Sequence, residues 1–188
     1  MSTTDPSIVT DELNEEEQKA RTSVSRAIVI GHGFQHLYGN TFTVLIPSMY
    51  DHFGLGPASA GLISTVRQAS QGVSSMGGGI IVDRLQNKRG YLLSFSLIIM
   101  ALGYMLIGIA PTFGVALAAL ALGAAAGSFW HPVGLGLLSQ LFPKRRGYWV
   151  SVHRSSGSIG DAIGPLIVTA LLGVVAWQSI LRGGLPII

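Results

Sequence analysis

The chain has 188 residues, 48% of them hydrophobic and only 11% charged, against roughly 25% charged in an ordinary soluble domain. A mean hydropathy of +0.50 places it among membrane proteins, and the absence of cysteine excludes disulfides, Cys-ligated zinc and thiol catalysis. The formal charge of +3 and a pI near 9.5 would by themselves suit a nucleic-acid binder, but the placement of the charges gives them another meaning.

Residues 1–26 are polar and carry the acidic run "DELNEEEQKAR". Glu15 to Lys19 and Glu17 to Arg21 have helix-supporting i, i+4 spacing, so a short surface helix is possible, but a solvated cytoplasmic tail is the expected state. No basic start followed by an apolar run marks a cleavable signal peptide. From Ala27 the composition turns apolar, and residues 27–188 read as a partial transmembrane bundle. Five spans are predicted, at 27–50, 58–82, 91–109, 113–141 and 148–175, each long enough to cross a hydrocarbon core of about 30 Å. Residues 177–188 form a stub of a sixth, too short to cross, so the chain is expected to be truncated.

Nine of the twelve basic residues fall on one side of these spans: Lys19, Arg21 and Arg26, then Arg84, Lys88 and Arg89, then Lys144, Arg145 and Arg146. The opposite loops, 51–57 and 110–112, have none. By the positive-inside rule the N-terminus is cytoplasmic, in an inner or plasma membrane. The basic excess is then topological, and no nucleic acid is expected as a partner. Small residues line the helix surfaces, in "GAAAG" at 123–127 and in Gly160-x-x-x-Gly164, as membrane helices require for close packing.

In span one, "GHGFQHLYGN" sets His32 and His36 one turn apart with Gln35 beside them. A histidine pair at i, i+4 can bind zinc, but no carboxylate or third ligand stands nearby in sequence, so no metal is expected. The polar trio lines a cavity or joins helices by hydrogen bonds. Span two carries Arg67 and Gln71 on one face; a mid-span arginine without an acidic neighbour suits an anionic group, or Asp161 across the bundle. In span four "SFWHPVG" places His131 before Pro132, which interrupts the helical hydrogen-bond ladder. Either the helix bends at a transport midplane, or Pro132 is a plain kink beside an interfacial Trp130.

Span five is the most informative. At about 100° per residue, Arg154, Ser158, Asp161 and Pro165 share one face, and Gly157, Gly160 and Gly164 form the adjacent one. Seven residues rise about 10.5 Å, so Arg154 and Asp161 do not pair along the helix. Each serves a partner on another helix, or a substrate or proton. Charges at membrane depth cost several kcal/mol unless paired or hydrated, so both are site candidates, with structural pairing or snorkelling of Arg154 as the alternative.

The loop "GGGIIVDRLQNKRG" resembles the cytoplasmic loop motif of the major facilitator superfamily, Gly-x-Leu-x-Asp-Arg-x-Gly-Arg-Arg/Lys-Arg/Lys. Gly79, Asp83, Arg84, Lys88 and Arg89 match; Gln86 and Asn87 depart from it. The resemblance implies that Asp83 is held by helix termini and basic groups and helps lock one side of a transporter. Gly160, Gly164 and Pro165 resemble part of that superfamily's exporter motif in the fifth helix, although Val168 and Thr169 replace its final glycines. Together with "FWHPVG", they make residues 30–175 similar to the fosmidomycin-resistance type.

The resemblance implies an all-α integral membrane fold: the N-terminal helix bundle of a transporter, with five full transmembrane helices and a truncated sixth. It implies proton-coupled efflux of a small, anionic or drug-like molecule, with the C-terminal half missing and no transport by this chain alone. Organic-anion uptake and a non-transporting membrane partner are the rival readings. The proposed pathway residues are His32, Gln35, His36, Arg67, Gln71, His131, Arg154 and Asp161. No cofactor is expected. Nor is an enzyme, since no Gly-x-Ser-x-Gly elbow, P-loop or Gly-x-Gly-x-x-Gly occurs.

Overall fold

The computed structural model describes residues 14–183, which fold into six α-helices: α1 Glu15–Phe53, α2 Ala58–Arg84, α3 Arg89–Ile107, α4 Phe113–Leu141, α5 Arg146–Leu172 and α6 Trp177–Gly183. Among the described residues there is no strand. The expected residue 1–26 tail is in part helix: from Glu15 onward it is one continuous helix with the first span. The side chain of Asn14 accepts from the Glu17 N–H at 2.8 Å, and Glu15, Glu16 and Glu17 complement the positive helix start. The remainder, residues 1–13, lies outside the described residues. Hydropathy reports immersion rather than helicity, so the charged extension was invisible to a search for apolar spans.

The other ends follow from local chemistry. Gly54, at φ 62°, closes α1 in the left-handed conformation, and the N–H groups of Gly54 and Leu55 return to the Tyr50 carbonyl. Thr112 caps α4. Two short 3-10 turns, Gln86–Lys88 and Pro143–Arg145, join α2 to α3 and α4 to α5. Both are basic and lie at one end of the bundle. There Arg21, from the extension of α1, donates to the terminal Leu141 carbonyl of α4 at 3.4 Å, and Phe142 stacks on Trp149. At the opposite end, Phe53, Phe113 and Trp177 cluster, and Arg182 Nε donates to the Gly108 carbonyl at 3.0 Å, docking α6 over the end of α3.

Among the described residues, three segments are long and apolar enough to cross a membrane by composition: Gln86–Ile107, Phe113–Leu141 and Pro143–Leu172. The helices α1 (39 residues) and α2 (27 residues) have the length but not the apolarity. Of their polar residues, Ser25, His32, Gln35 and Thr41 of α1 are buried. Large apolar side chains such as Val73, Met76, Phe95 and Leu166 are exposed along the bundle, as lipid contact requires.

Packing divides the molecule into a pair and a trio. Helix α5 lies along α1, while α4 carries α2 on one side and α3 on the other. A Cβ added at Gly164 would come 2.6 Å from the Leu37 carbonyl oxygen, and one at Gly160 would come 2.8 Å from the Leu37 nitrogen. The two backbones are therefore in direct contact. Gly103 of α3 meets Gly123 of α4 in the same way. Serine hydroxyls complete the trio: Ser74 donates to the Ala125 carbonyl at 2.6 Å, Ser96 to that of Ala126 at 2.5 Å, and Ser75 bonds Ser128 at 2.5 Å. Helix α4 runs without interruption through Pro132. Trp130 is not interfacial: it is buried, with its ring against Gly31.

Candidate functional site

Along α1 the buried positions recur every three or four residues, but their chemistry changes with depth. Ile28 joins an apolar cluster with Trp130 and Val133 near the basic end. Tyr38, Phe42, Leu45 and Met49 join a larger one towards α6. Between them α1 presents His32, Gln35, His36 and Asn40, and this polar belt is the candidate site.

Asp161 lies across from it on α5, half-buried. His36 Nδ1 is 2.8 Å from its Oδ1, and the Asn40 amide donates to the same oxygen. Both partners are on α1, as the rise between Arg154 and Asp161 requires. His32 Nδ1 is 2.6 Å from the His153 carbonyl oxygen, and the two imidazoles stack with centroids 3.7 Å apart. His131 comes from α4, edge-on to His32 and His36 at 5.2 and 5.6 Å.

Two clefts meet at this belt. One, of about 210 Å³, is lined by Gln35, Asn40, Arg67, Gln71 and Tyr104; the other, of about 430 Å³, by His32, His153, Arg154 and Ser158. His36, His131 and Asp161 line both and so form their common wall. All eight pathway residues read from the sequence thus stand around one seam between the pair and the trio. Arg67 does not reach Asp161; its guanidinium donates to Thr43 Oγ1 at 3.2 Å. Among the described residues neither Arg67 nor Arg154 forms an ion pair.

His153, Asn40 and Tyr104 of the site escaped sequence reasoning. His153 is 1% exposed and continues the glycine face of α5 one turn earlier, in the series 153, 157, 160, 164. Extending that face would have found it; attention to the charge of Arg154 hid it. Asn40 continues His32 and His36 at the next i+4 position and could have been found the same way.

In the basic loop, Arg89 is buried and donates to Gln140 Oε1 at 2.7 Å. Asp83, Arg84 and Lys88 are exposed, and Asp83 has no ion pair among the described residues. Gly79 has open space at its Cβ position, whereas its neighbour Gly78 is pressed against Phe129 and Pro132.

The polar seam thus lies between apolar helix layers, and comparison with known proteins gives the chain a family. The family model of the Major Facilitator Superfamily matches residues 28–187. The chain belongs to that superfamily. It is 23% identical over 160 residues to a probable hexose phosphate transport protein of Chlamydia trachomatis, covering 85% of this chain and 35% of that protein. It is 25% identical over 166 residues to the fosmidomycin resistance protein of Escherichia coli, covering 85% and 40%. It is 28% identical over 173 residues to the multidrug resistance protein Stp of Mycobacterium tuberculosis, covering 88% and 31%. The chain therefore spans about a third of the length of these relatives. No solved structure matches it significantly. The all-α membrane bundle inferred from the loop and fifth-helix motifs is the superfamily's N-terminal bundle.

Proposed function

We propose that this chain forms the N-terminal bundle of a proton-coupled secondary transporter that exports a small anionic or drug-like solute, with its N-terminus cytoplasmic in an inner or plasma membrane. The observation that carries the reading is the charge balance of the seam. Asp161 is the only acidic residue after Asp83 in the chain, and it is already engaged by His36 and Asn40. Among the described residues neither Arg67 on one cleft nor Arg154 on the other forms an ion pair, and two such cations in the seam favour an anionic guest. Gln35, Gln71 and the histidines supply hydrogen bonds to orient it. Asp161 is the group for proton exchange, and the Gly79–Arg89 loop is the gating element. A C-terminal bundle completes the cavity.

A hexose phosphate and the corresponding free hexose, titrated calorimetrically into the purified chain in lipid nanodiscs, test this. The phosphate is expected to bind and the free sugar not, with Arg67→Gln and Arg154→Gln each weakening binding at least tenfold. Equal affinity for both sugars, or indifference to both substitutions, would sink the reading. The relatives named for hexose phosphate transport favour a second reading, organic-anion uptake. Cells expressing the gene separate the two: export raises drug resistance, uptake permits growth on a hexose phosphate.

A further inference from the structure

The sequence offers His32 and His36 no third ligand. The fold supplies one: α4 brings His131 beside them, and one ring nitrogen from each of the three lies within 4.8 Å of the others. Three imidazoles from two helices thus converge, His36 and His131 on the common wall of the two clefts and His32 beside them in the larger one.

The hydrogen bonds around them set which nitrogens face inward. A carbonyl oxygen only accepts, so the contact between His32 Nδ1 and the His153 carbonyl places the proton on Nδ1 and leaves a lone pair on Nε2. Asp161 Oδ1, which accepts from the Asn40 amide, is placed to accept from His36 Nδ1 as well, which leaves the His36 lone pair on Nε2. Both Nε2 atoms are buried, and neither has a hydrogen-bond partner among the described residues. A buried, unpartnered nitrogen lone pair is costly to leave unsatisfied, and here two belong to imidazoles of the same cluster. Imidazoles whose outer nitrogen is tied to a carboxylate or backbone carbonyl are oriented, strongly basic metal ligands. Stacking on His153 further fixes the plane of His32.

We propose that His32, His36 and His131 form a binding site for a divalent transition-metal ion of the zinc class, with one coordination position left to water or to an anionic solute. The all-imidazole donor set selects zinc, copper or nickel over magnesium and calcium, which need oxygen ligands. Zinc–nitrogen bonds of about 2.0–2.1 Å ask the rings to draw about 1 Å closer, a movement of side chains rather than of helices. Asp161, hydrogen-bonded to His36, holds that ring in place beside the ion. Arg154, on the cleft wall, favours an anion at the open position over a fourth protein ligand.

The test uses untagged chain in detergent micelles, with Co²⁺ as a spectroscopic stand-in. We expect one Co²⁺ per chain, the visible absorption of four-coordinate cobalt–imidazole, and displacement by Zn²⁺ but not by Mg²⁺. His32 and His36 pack on Gly157, so their replacement can disturb the α1–α5 contact. His131→Ala, on α4, leaves that contact intact and carries the weight, with far-ultraviolet circular dichroism confirming the fold; Asp161→Asn alters a partner of His36 and Asn40 on α1, so it is read only where that spectrum is unchanged. His131→Ala should lower Co²⁺ affinity at least tenfold and alter the spectrum. Asp161→Asn should lower affinity about 10–100-fold, while His52→Ala, at the far end of α1, leaves it unchanged. Failure of the wild-type chain to bind Co²⁺, equal binding by a folded His131→Ala chain, or equal loss in His52→Ala overturns the proposal. The readout involves no solute, so the anion reading and the metal site stand or fall separately.

Discussion

At the scale of single residues, the glycines of α5 do the most defined work. Gly160 and Gly164 face the backbone of α1 at distances where a methyl group has no room and no flexible side chain can yield. Gly164→Ala should therefore destabilise the folded chain by about 1–3 kcal/mol, seen as a lower midpoint of thermal unfolding in detergent. Gly61→Ala is the control. It lies in α2 with nothing within 4 Å of its Cβ position, and helix propensity predicts a gain of up to about 1 kcal/mol. Equal losses at both positions would show that the α1–α5 contact is looser than described. Much at this scale was legible in the sequence, because helical period alone separates the glycine face of span five from the polar face bearing Arg154 and Asp161. Partners were not: nothing local to Asp161 says that Asn40 and His36, more than a hundred residues earlier, meet its carboxylate. Nor does anything near His32 announce His131.

At the scale of elements, the helices can be set beside the apolar segments read from the sequence. The expected 113–141 coincides with α4, and 58–82 falls within α2 (Ala58–Arg84). The expected 91–109 and 148–175 lie two to three residues later than α3 and α5. The departure is the first helix, where Asn14 and three glutamates start a helix that hydropathy does not register. What holds α4 in the middle of the trio is a set of short serine bonds, and these can be weighed. A double-mutant cycle on Ser75→Ala and Ser128→Ala should give a coupling of about 0.6 kcal/mol and no more than about 1.7, the range found between membrane helices. Additive effects would show that shape alone, chiefly the fit of Gly78 against Phe129 and Pro132, holds α2 to α4.

At the scale of the whole molecule, the basic end gathers nine lysines and arginines and the other end presents aromatic rings, the asymmetry on which the proposed orientation rests. The lack of cysteine makes this directly measurable. A single cysteine at Gly56 should react with an impermeant maleimide on intact cells, whereas one at Asn87 should react only after permeabilisation; the reverse pattern would invert the topology. The division into a tightly keyed pair and a bonded trio also decides what passage through the seam would involve. The two clefts have one wall in common, and His36, His131 and Asp161 are that wall. In the proposed transport cycle a guest passing from one cleft to the other would have to part His36 from Asp161, so the barrier is a hydrogen bond that can reopen and close rather than a plug of packed side chains.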